Sequence, residues 1–424
     1  MLSKLSCKSF VYFLVLMLAG CGHPEKQVIE VNKTIVAKEL DTYMQVRHIV
    51  LRSTNQEIGK AIGEIAQEWL QIQPIVRKDD VFTKANNIYL QRNYPLLVER
   101  MKGVAQAYHK SVAELYGGLF YDLWPTACSI VYFPPQSTQD GHALLAHNYD
   151  WRPETFSETV GLPARADERS GTSRNFVMEL YPTDGGYASI VVGSMDLLNG
   201  LLDGMNSRGL AISILHDPNC PTTTEMQDLA QACGLTPLQL ARLILDTCAT
   251  VEQAEIVFLC NKMVFSFEGV HFLVADATSK SVICEIDPKL GTWHFSENDG
   301  KPQIMTNHPQ YLYQDSSTFP ASEDRYNTFN RYRKLEEFVA EHLDVGHTKI
   351  SRDDADAALQ SVFGRAKCEE GADKKKRFIT MWTEVYDLTD KTLEVAFYLK
   401  DGECDAETGG RKLVFTNPFT FTLK

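Results

Sequence analysis

Apolar residues recur with two different periods along this chain, and the change between them falls near residue 128. Over 57–71 the positions Ile58, Ala61, Ile62, Ile65, Ala66, Trp69 and Leu70 follow i, i+3, i+4 spacing. That is one stripe of an amphipathic helix, with Asn55 as a candidate N-cap. A second helix is predicted from Pro95, because proline is comfortable in a first helical turn, and a third over Ser111–Tyr116. Gln45–Leu51 reads as a strand, whereas residues 21–40 are polar, lack periodicity and read as a tether. After 128 the pattern switches to short β-branched or alternating runs, among them Ser129–Phe133, Ala143–Asn148, Phe176–Tyr181, Leu210–Leu215, Val270–Val274, Val282–Ile286, Phe378–Tyr386 and Thr392–Tyr398. Helices are predicted over Thr236–Cys248, Val251–Phe258, Arg325–Glu341 and Ser351–Val362. Many antiparallel strands with grouped helices imply an α+β fold, sheet packed on sheet with helices outside.

The first twenty residues stand apart from that pattern. Lys4 and Lys8 precede Phe10–Leu18, an apolar run too short to cross a bilayer as a stable helix. Leu18-Ala19-Gly20-Cys21 then has the form of a bacterial lipobox, in which the cysteine is lipidated and becomes the new N-terminus. An ordinary secretory signal ending in cysteine is the alternative. The expectation is a signal peptide over 1–20, a lipid on Cys21, and a mature protein exported and anchored to the cell envelope. The polar stretch after Cys21 begins with Gly22 rather than an acidic residue, which favours the outer membrane.

Charge and cysteine usage narrow the partners. A net charge of −13 without a basic cluster argues against nucleic acid, and Lys374-Lys375-Lys376 reads as a solvated loop. Ten cysteines without a C-x-x-C, and eleven histidines without ligand spacing, give no expected metal. The chain has no G-x-S-x-G, no P-loop, no G-x-G-x-x-G and no H-E-x-x-H, so no cofactor is expected either.

What remains is Cys128. It opens an apolar run in Trp124-Pro125-Thr126-Ala127-Cys128-Ser129-Ile130-Val131, and a Gly141 turn and second run lead to Asn148-Tyr149-Asp150-Trp151. Further motifs follow in order: Gly204-Met205-Asn206 with Gly209-Leu210, then Met305-Thr306-Asn307-His308, then Met381-Trp382-Thr383-Glu384. Before them stand Glu57-Ile58-Gly59, Ala61 and Gly63, and later Lys102-Gly103-Val104. With these motifs the chain resembles the acyl-coenzyme A:isopenicillin N acyltransferase-like family, and more distantly choloylglycine hydrolases and the acid ceramidase group. The resemblance implies a four-layer αββα sandwich of the N-terminal-nucleophile type. Residues 41–127 would form a helical pro-segment and 128–424 the catalytic domain. Cleavage between Ala127 and Cys128 would expose the amine and thiol of Cys128, and the wide apolar stripe over 57–71 would keep the pro-segment bound. The substrate would be a small acyl amide.

Each site residue carries an implied role and a plainer alternative. Cys128 would be the nucleophile: a thiol is mostly protonated at neutral pH, and an α-amine on the same residue can take its proton. Asp150 would hold and orient that amine and help the cut by positioning the thiol against the Ala127 carbonyl, or merely cap a turn. Asn307 would donate to the oxyanion, or serve as a turn residue before Pro309. His147 stands where many relatives have arginine, so a catalytic imidazole competes with a satisfied surface histidine. Asn206 sits in a turn that asparagine favours on structural grounds alone. Arg325 would bind a substrate carboxylate or close the site. Glu384 reads as a buried ion-pair partner, and the Leu215–His216 stretch as one source of a second oxyanion donor.

Overall fold

In the computed structural model of the chain, residues 28–39, 42–76, 81–115, 117, 127–159, 162–164, 168, 170–218, 233–264, 269–287, 290–320, 326–343, 349–366, 368, 378–406 and 409–424 are described. The signal sequence, Cys21 and Arg325 lie outside them.

Two sheets face each other. The first has nine strands. In chain order they are β1 Ile29–Val36, β2 Gln45–Ser53, β5 Arg174–Pro182, β6 Ser189–Ser194, β7 Asp203–Asn206, β8 Ala211–Asp217, β9 Gly269–Ala275, β10 Ser281–Asp287 and β11 Thr292–Glu297, and their spatial order is the same. The second holds β12 Gln303–Met305, β3 Ala127–Phe133, β4 Leu144–Trp151, β13 Ile379–Asp387, β14 Thr392–Cys404 and β15 Arg411–Phe415 in that order, with β16 Phe419–Thr422 also pairing β14. All neighbours are antiparallel except β2 and β5, which run parallel. Seven of the helices matter here: α1 Asn55–Ile65, α2 Val81–Asn93, α3 Pro95–Ala107, α4 Pro237–Thr247, α5 Val251–Cys260, α6 Thr328–Leu343 and α7 Arg352–Ser361.

Strand alternation sorts the side chains into layers. One apolar cluster joins Ile58, Ile62, Met101, Leu240 and Ile244 of the helices to Ile49, Phe176 and Phe272 of the nine-stranded sheet. A second lies between the sheets and includes Cys128, Ile130, Tyr149, Val192, Met205, Leu273 and Trp382. A third joins Val131, Leu144 and Val385 to Leu335 of α6 and Leu359 of α7. Helix, sheet, sheet, helix is thus the layer order, the αββα sandwich expected.

The segment before Cys128 is less purely helical than the apolar stripe suggests. Ile29–Val36 is a strand where a tether was expected, because Ile29, Val31 and Ile35 alternate and edge pairing with β2 needs only backbone groups. With β2 it extends the nine-stranded sheet, so this segment supplies two strands of the sandwich. The N-cap of α1 is Thr54, which accepts from Glu57 N, and Asn55 is the first helical residue. Of the short helix expected over Ser111–Tyr116, the described residues 111–115 hold a 3-10 turn over Val112–Glu114, and α2 is a helix the periodicity does not announce. Helices α1 and α3 meet backbone to backbone. A Cβ on Gly59 would sit 2.0 Å from the Arg100 carbonyl oxygen, and one on Gly103 2.0 Å from that of Gln56. Only glycine fits at that crossing.

Candidate active site

Cys128 is the second residue of β3, fully buried and facing the other sheet. Its neighbours come from both sheets and from α6. The Cys128 N–H donates to Asn307 Oδ1 at 2.8 Å. Arg331 of α6 donates through Nη2 to the same oxygen at 2.7 Å and through Nη1 to Ser129 Oγ at 2.7 Å and to the Cys128 carbonyl. Asn307 Nδ2 in turn donates to the His216 carbonyl at 2.6 Å. Two donors facing Oδ1 and one acceptor facing Nδ2 fix which way this amide points. Asn307 follows β12, which pairs with β3, so its place beside Cys128 is set by sheet register. His216 presents its carbonyl here, an acceptor rather than the second oxyanion donor considered for that stretch.

Asp150 pairs across the strands with Ala127, the residue before Cys128. Its Oδ1 accepts from Thr380 Oγ1 at 2.6 Å, and Thr380 accepts from Gly364 N. Burial pushes its carboxyl up to about 6, against the pull of Arg331, Thr380 and His147. The group can therefore change charge near neutrality.

His147 is not on the surface. It is fully buried, and its Nδ1 lies 2.6 Å from Asp203 Oδ1 of the opposite sheet and 3.3 Å from Glu384 Oε1 on the neighbouring strand. Burial disfavours charge on this imidazole, but Asp203, Cys128 and Glu384 together hold it well above the ordinary histidine range. Glu384 is pushed well up by burial and by Asp203, and Trp382 Nε1 donates to it at 3.2 Å. Glu384 is buried beside His147 as expected, but as a carboxyl pushed toward its neutral form, and the nearer carboxylate to the imidazole is that of Asp203. Tyr149 stacks on Trp382 with ring centroids 3.9 Å apart and forms a flat aromatic wall next to the thiol's strand.

Asn206 is elsewhere. Its side chain lies on the helix side of the nine-stranded sheet, where Nδ2 donates to the Leu245 and Cys248 carbonyls at 2.9 and 2.7 Å and Oδ1 accepts from Arg208 N and Leu210 N. It ties α4 to the β7–β8 turn, so the turn reading of this residue is the one the structure favours over a catalytic role. The arginine that reaches Cys128 is Arg331 of α6, which the sequence reading did not single out; Arg325 lies outside the described residues. The signal was present: Thr328, Arg331 and Leu335 share the buried stripe of α6, so a charge stands among core positions. Asp203 carried no signal, since only tertiary packing brings it to His147.

Among the described residues, three groups place histidine and carboxylate donor atoms within 4.8 Å of one another: His147, Asp203 and Glu384; Asp217, His271 and Glu285; and His142, Asp387 and Asp390. In the second, both Glu285 oxygens already accept backbone N–H groups, from Gln310 at 2.7 Å and Tyr311 at 2.9 Å.

Residues 137–400 match the family model described as acyl-coenzyme A:6-aminopenicillanic acid acyl-transferase. The match contains His147, Asp150, Asn307 and Arg331, and Cys128 precedes it. An uncharacterized protein of Paramecium bursaria Chlorella virus 1 is 29% identical over 116 residues, which are 26% of this chain and 40% of the viral protein. Among solved structures, penicillin V acylase from Agrobacterium tumefaciens aligns at 18% identity and a TM-score of 0.39, over 63% of this chain and 82% of its own. A mutant conjugated bile acid hydrolase from Clostridium perfringens aligns at 13% identity and a TM-score of 0.45, over 70% of this chain and 97% of its own.

Proposed function

Because the chain belongs to the acyl-coenzyme A:6-aminopenicillanic acid acyl-transferase family, we propose that it is a self-processing thiol amidase that breaks linear amide C–N bonds. The observation that carries this reading is the Cys128 backbone, whose N–H and carbonyl are held by Asn307 and Arg331 at the head of a buried strand. The Ala127–Cys128 bond is cut, and Cys128 becomes the first residue of the catalytic chain. Its amine then serves as base to its own thiol. The thiolate attacks the acyl carbon of the substrate, and Asn307 Nδ2 stabilises the oxyanion. The amine product leaves with the proton, and water hydrolyses the thioester on Cys128. Asp150 holds the new ammonium, and the pro-segment stays in place because it supplies β1, β2 and the α1–α3 layer. A lipid on Cys21 anchors the whole to the envelope, a role the Leu18–Cys21 motif supports.

A second reading follows from the family's own name: an amine in place of water resolves the same thioester, giving acyl transfer. Incubating the purified protein with a panel of acyl amides, with and without an added amine, tests both. Free acid alone means hydrolysis, and a new amide in the presence of the amine means transfer. No Cys128-dependent product from any acyl amide would sink the reading.

A further inference from the structure

The self-processing reading leaves a gap. An α-amine can act as base only after it has been released, so the first cut needs another base. We propose that His147, held by Asp203 and Glu384, is the base that makes the Cys128 thiolate in the uncut chain. This rests on the processing reading above and adds to it the group that starts the reaction.

The geometry carries it. His147 is the register partner of Ile130, and Cys128 stands two residues before Ile130 on the same face of β3. Directly opposed residues of an antiparallel pair share a face, so imidazole and thiol both point between the sheets, and the thiol is among the groups that raise the imidazole. Asp203 and Glu384 engage Nδ1, while Nε2 is buried and has no hydrogen-bond partner. A carboxylate on Nδ1 fixes the tautomer that leaves Nε2 as the acceptor. Around the ring stand Asp203 from β7, Glu384, Trp382 and Tyr386 from β13, Tyr149 and Asp150 from β4, and Cys128 from β3. The direction of the histidine's titration, well above the ordinary range, agrees with an imidazolium beside a thiolate. An arginine at this place would supply the charge but could not take up the proton.

The step balances. The Sγ–H proton moves to His147 Nε2. The thiolate bonds to the Ala127 carbonyl carbon, the C–N bond to Cys128 breaks, and the proton on Nε2 passes to the departing nitrogen. Water then adds its hydroxyl to the same carbon as the C–S bond breaks, and the water's proton returns to Sγ. One peptide bond is hydrolysed and one amine is freed.

The test is the rate of precursor cleavage in cell-free synthesis of the full chain, from pH 5.5 to 8.5, for wild type, His147→Asn, His147→Arg and Cys128→Ala. Near-ultraviolet circular dichroism checks native packing. The expected result is cleavage slowed about 100-fold or more in His147→Asn and about tenfold or more in His147→Arg. Wild-type rates in His147→Asn, or a full rescue by arginine across the pH range, would overturn the assignment while leaving self-processing intact. A wild-type chain that is never cut, or a Cys128→Ala chain cut as fast as wild type, would instead sink the processing reading itself. Should neither histidine variant fold, the wild-type thiolate absorbance near 240 nm decides. A band below pH 7 that is missing in Cys128→Ala supports the pair, and no such band contradicts it.

Discussion

Two of the buried ionic clusters among the described residues lie on opposite faces of the nine-stranded sheet, and they are built to opposite ends. On the helix side, Arg100 makes a forked pair with Asp246, at 2.6 and 3.2 Å, and donates through Nε to Asn55 at 2.9 Å. Tyr94 donates to the same aspartate at 2.6 Å, and Arg242 donates to Ser189 at 2.9 Å. Burial alone would raise the Asp246 carboxyl, but Arg100 and Arg242 hold it below the usual carboxylate range. Asp246 is fully partnered, by two arginines and a tyrosine, and the cluster ties residues before Cys128 to residues after it. Between the sheets the balance is different. His147 faces two carboxyl groups, Glu384 is pushed well up, Asp150 is raised, and the imidazole Nε2 is left without a hydrogen-bond partner. A buried carboxylate with its full set of cationic and hydrogen-bond partners holds a structure together, whereas buried groups pushed up from their ordinary titration keep protons ready to move.

Mutations break the comparison in opposite ways. Cys128→Ala gives the largest change in function: processing and amide turnover fall below detection, by at least about 1,000-fold, in a quantitative product assay. Arg100→Met gives the largest change in stability. It takes the forked partner from buried Asp246, leaving Arg242 and Tyr94, and costs about 3 kcal/mol, read by chemical denaturation, while turnover per folded molecule holds.

Asp150→Asn separates the two properties. The native carboxyl titrates at about 6 and the unfolded one near 3.8, so below 3.8 both states are protonated and the term vanishes. Between those values the native state binds the extra proton, and stability falls as pH rises. Above about 6 the full cost, up to about 3 kcal/mol, is present. The asparagine variant is therefore more stable than wild type at pH 8 and equal to it near pH 3.5, yet loses processing. By the same titration, wild-type processing rises with pH through about 6, which a pH–rate profile checks. The smallest effect is expected from Glu384→Gln. Its neutral amide stands in for a carboxyl that burial already keeps protonated, so the denaturation midpoint rises at pH 8 and not at pH 4.

The same contrast explains how much was legible beforehand. The apolar stripe of α1, the strand bearing Cys128 and the alternation that sets two sheets face to face are local patterns, and they read directly. Cys128, Asp150 and Asn307 stand in short motifs, and the structure brings them together through β3–β4 and β12–β3 pairing. Arg331 was marked only by its place in the buried stripe of α6. Asp203 meets His147 across the gap between sheets, a contact that no periodicity encodes. The edge strand Ile29–Val36 was hidden because only Val36 is buried, while Ile29, Val31 and Ile35 are half-buried on an edge whose pairing with β2 uses backbone groups.

The central claim is that the chain cuts itself before Cys128. Intact mass and N-terminal sequencing of the purified protein, beside Cys128→Ala, test it most directly. The account predicts two fragments held together under native conditions, one beginning at Cys128, and a single uncut chain in the variant. A wild-type protein that remains one chain while it turns over an amide would contradict it.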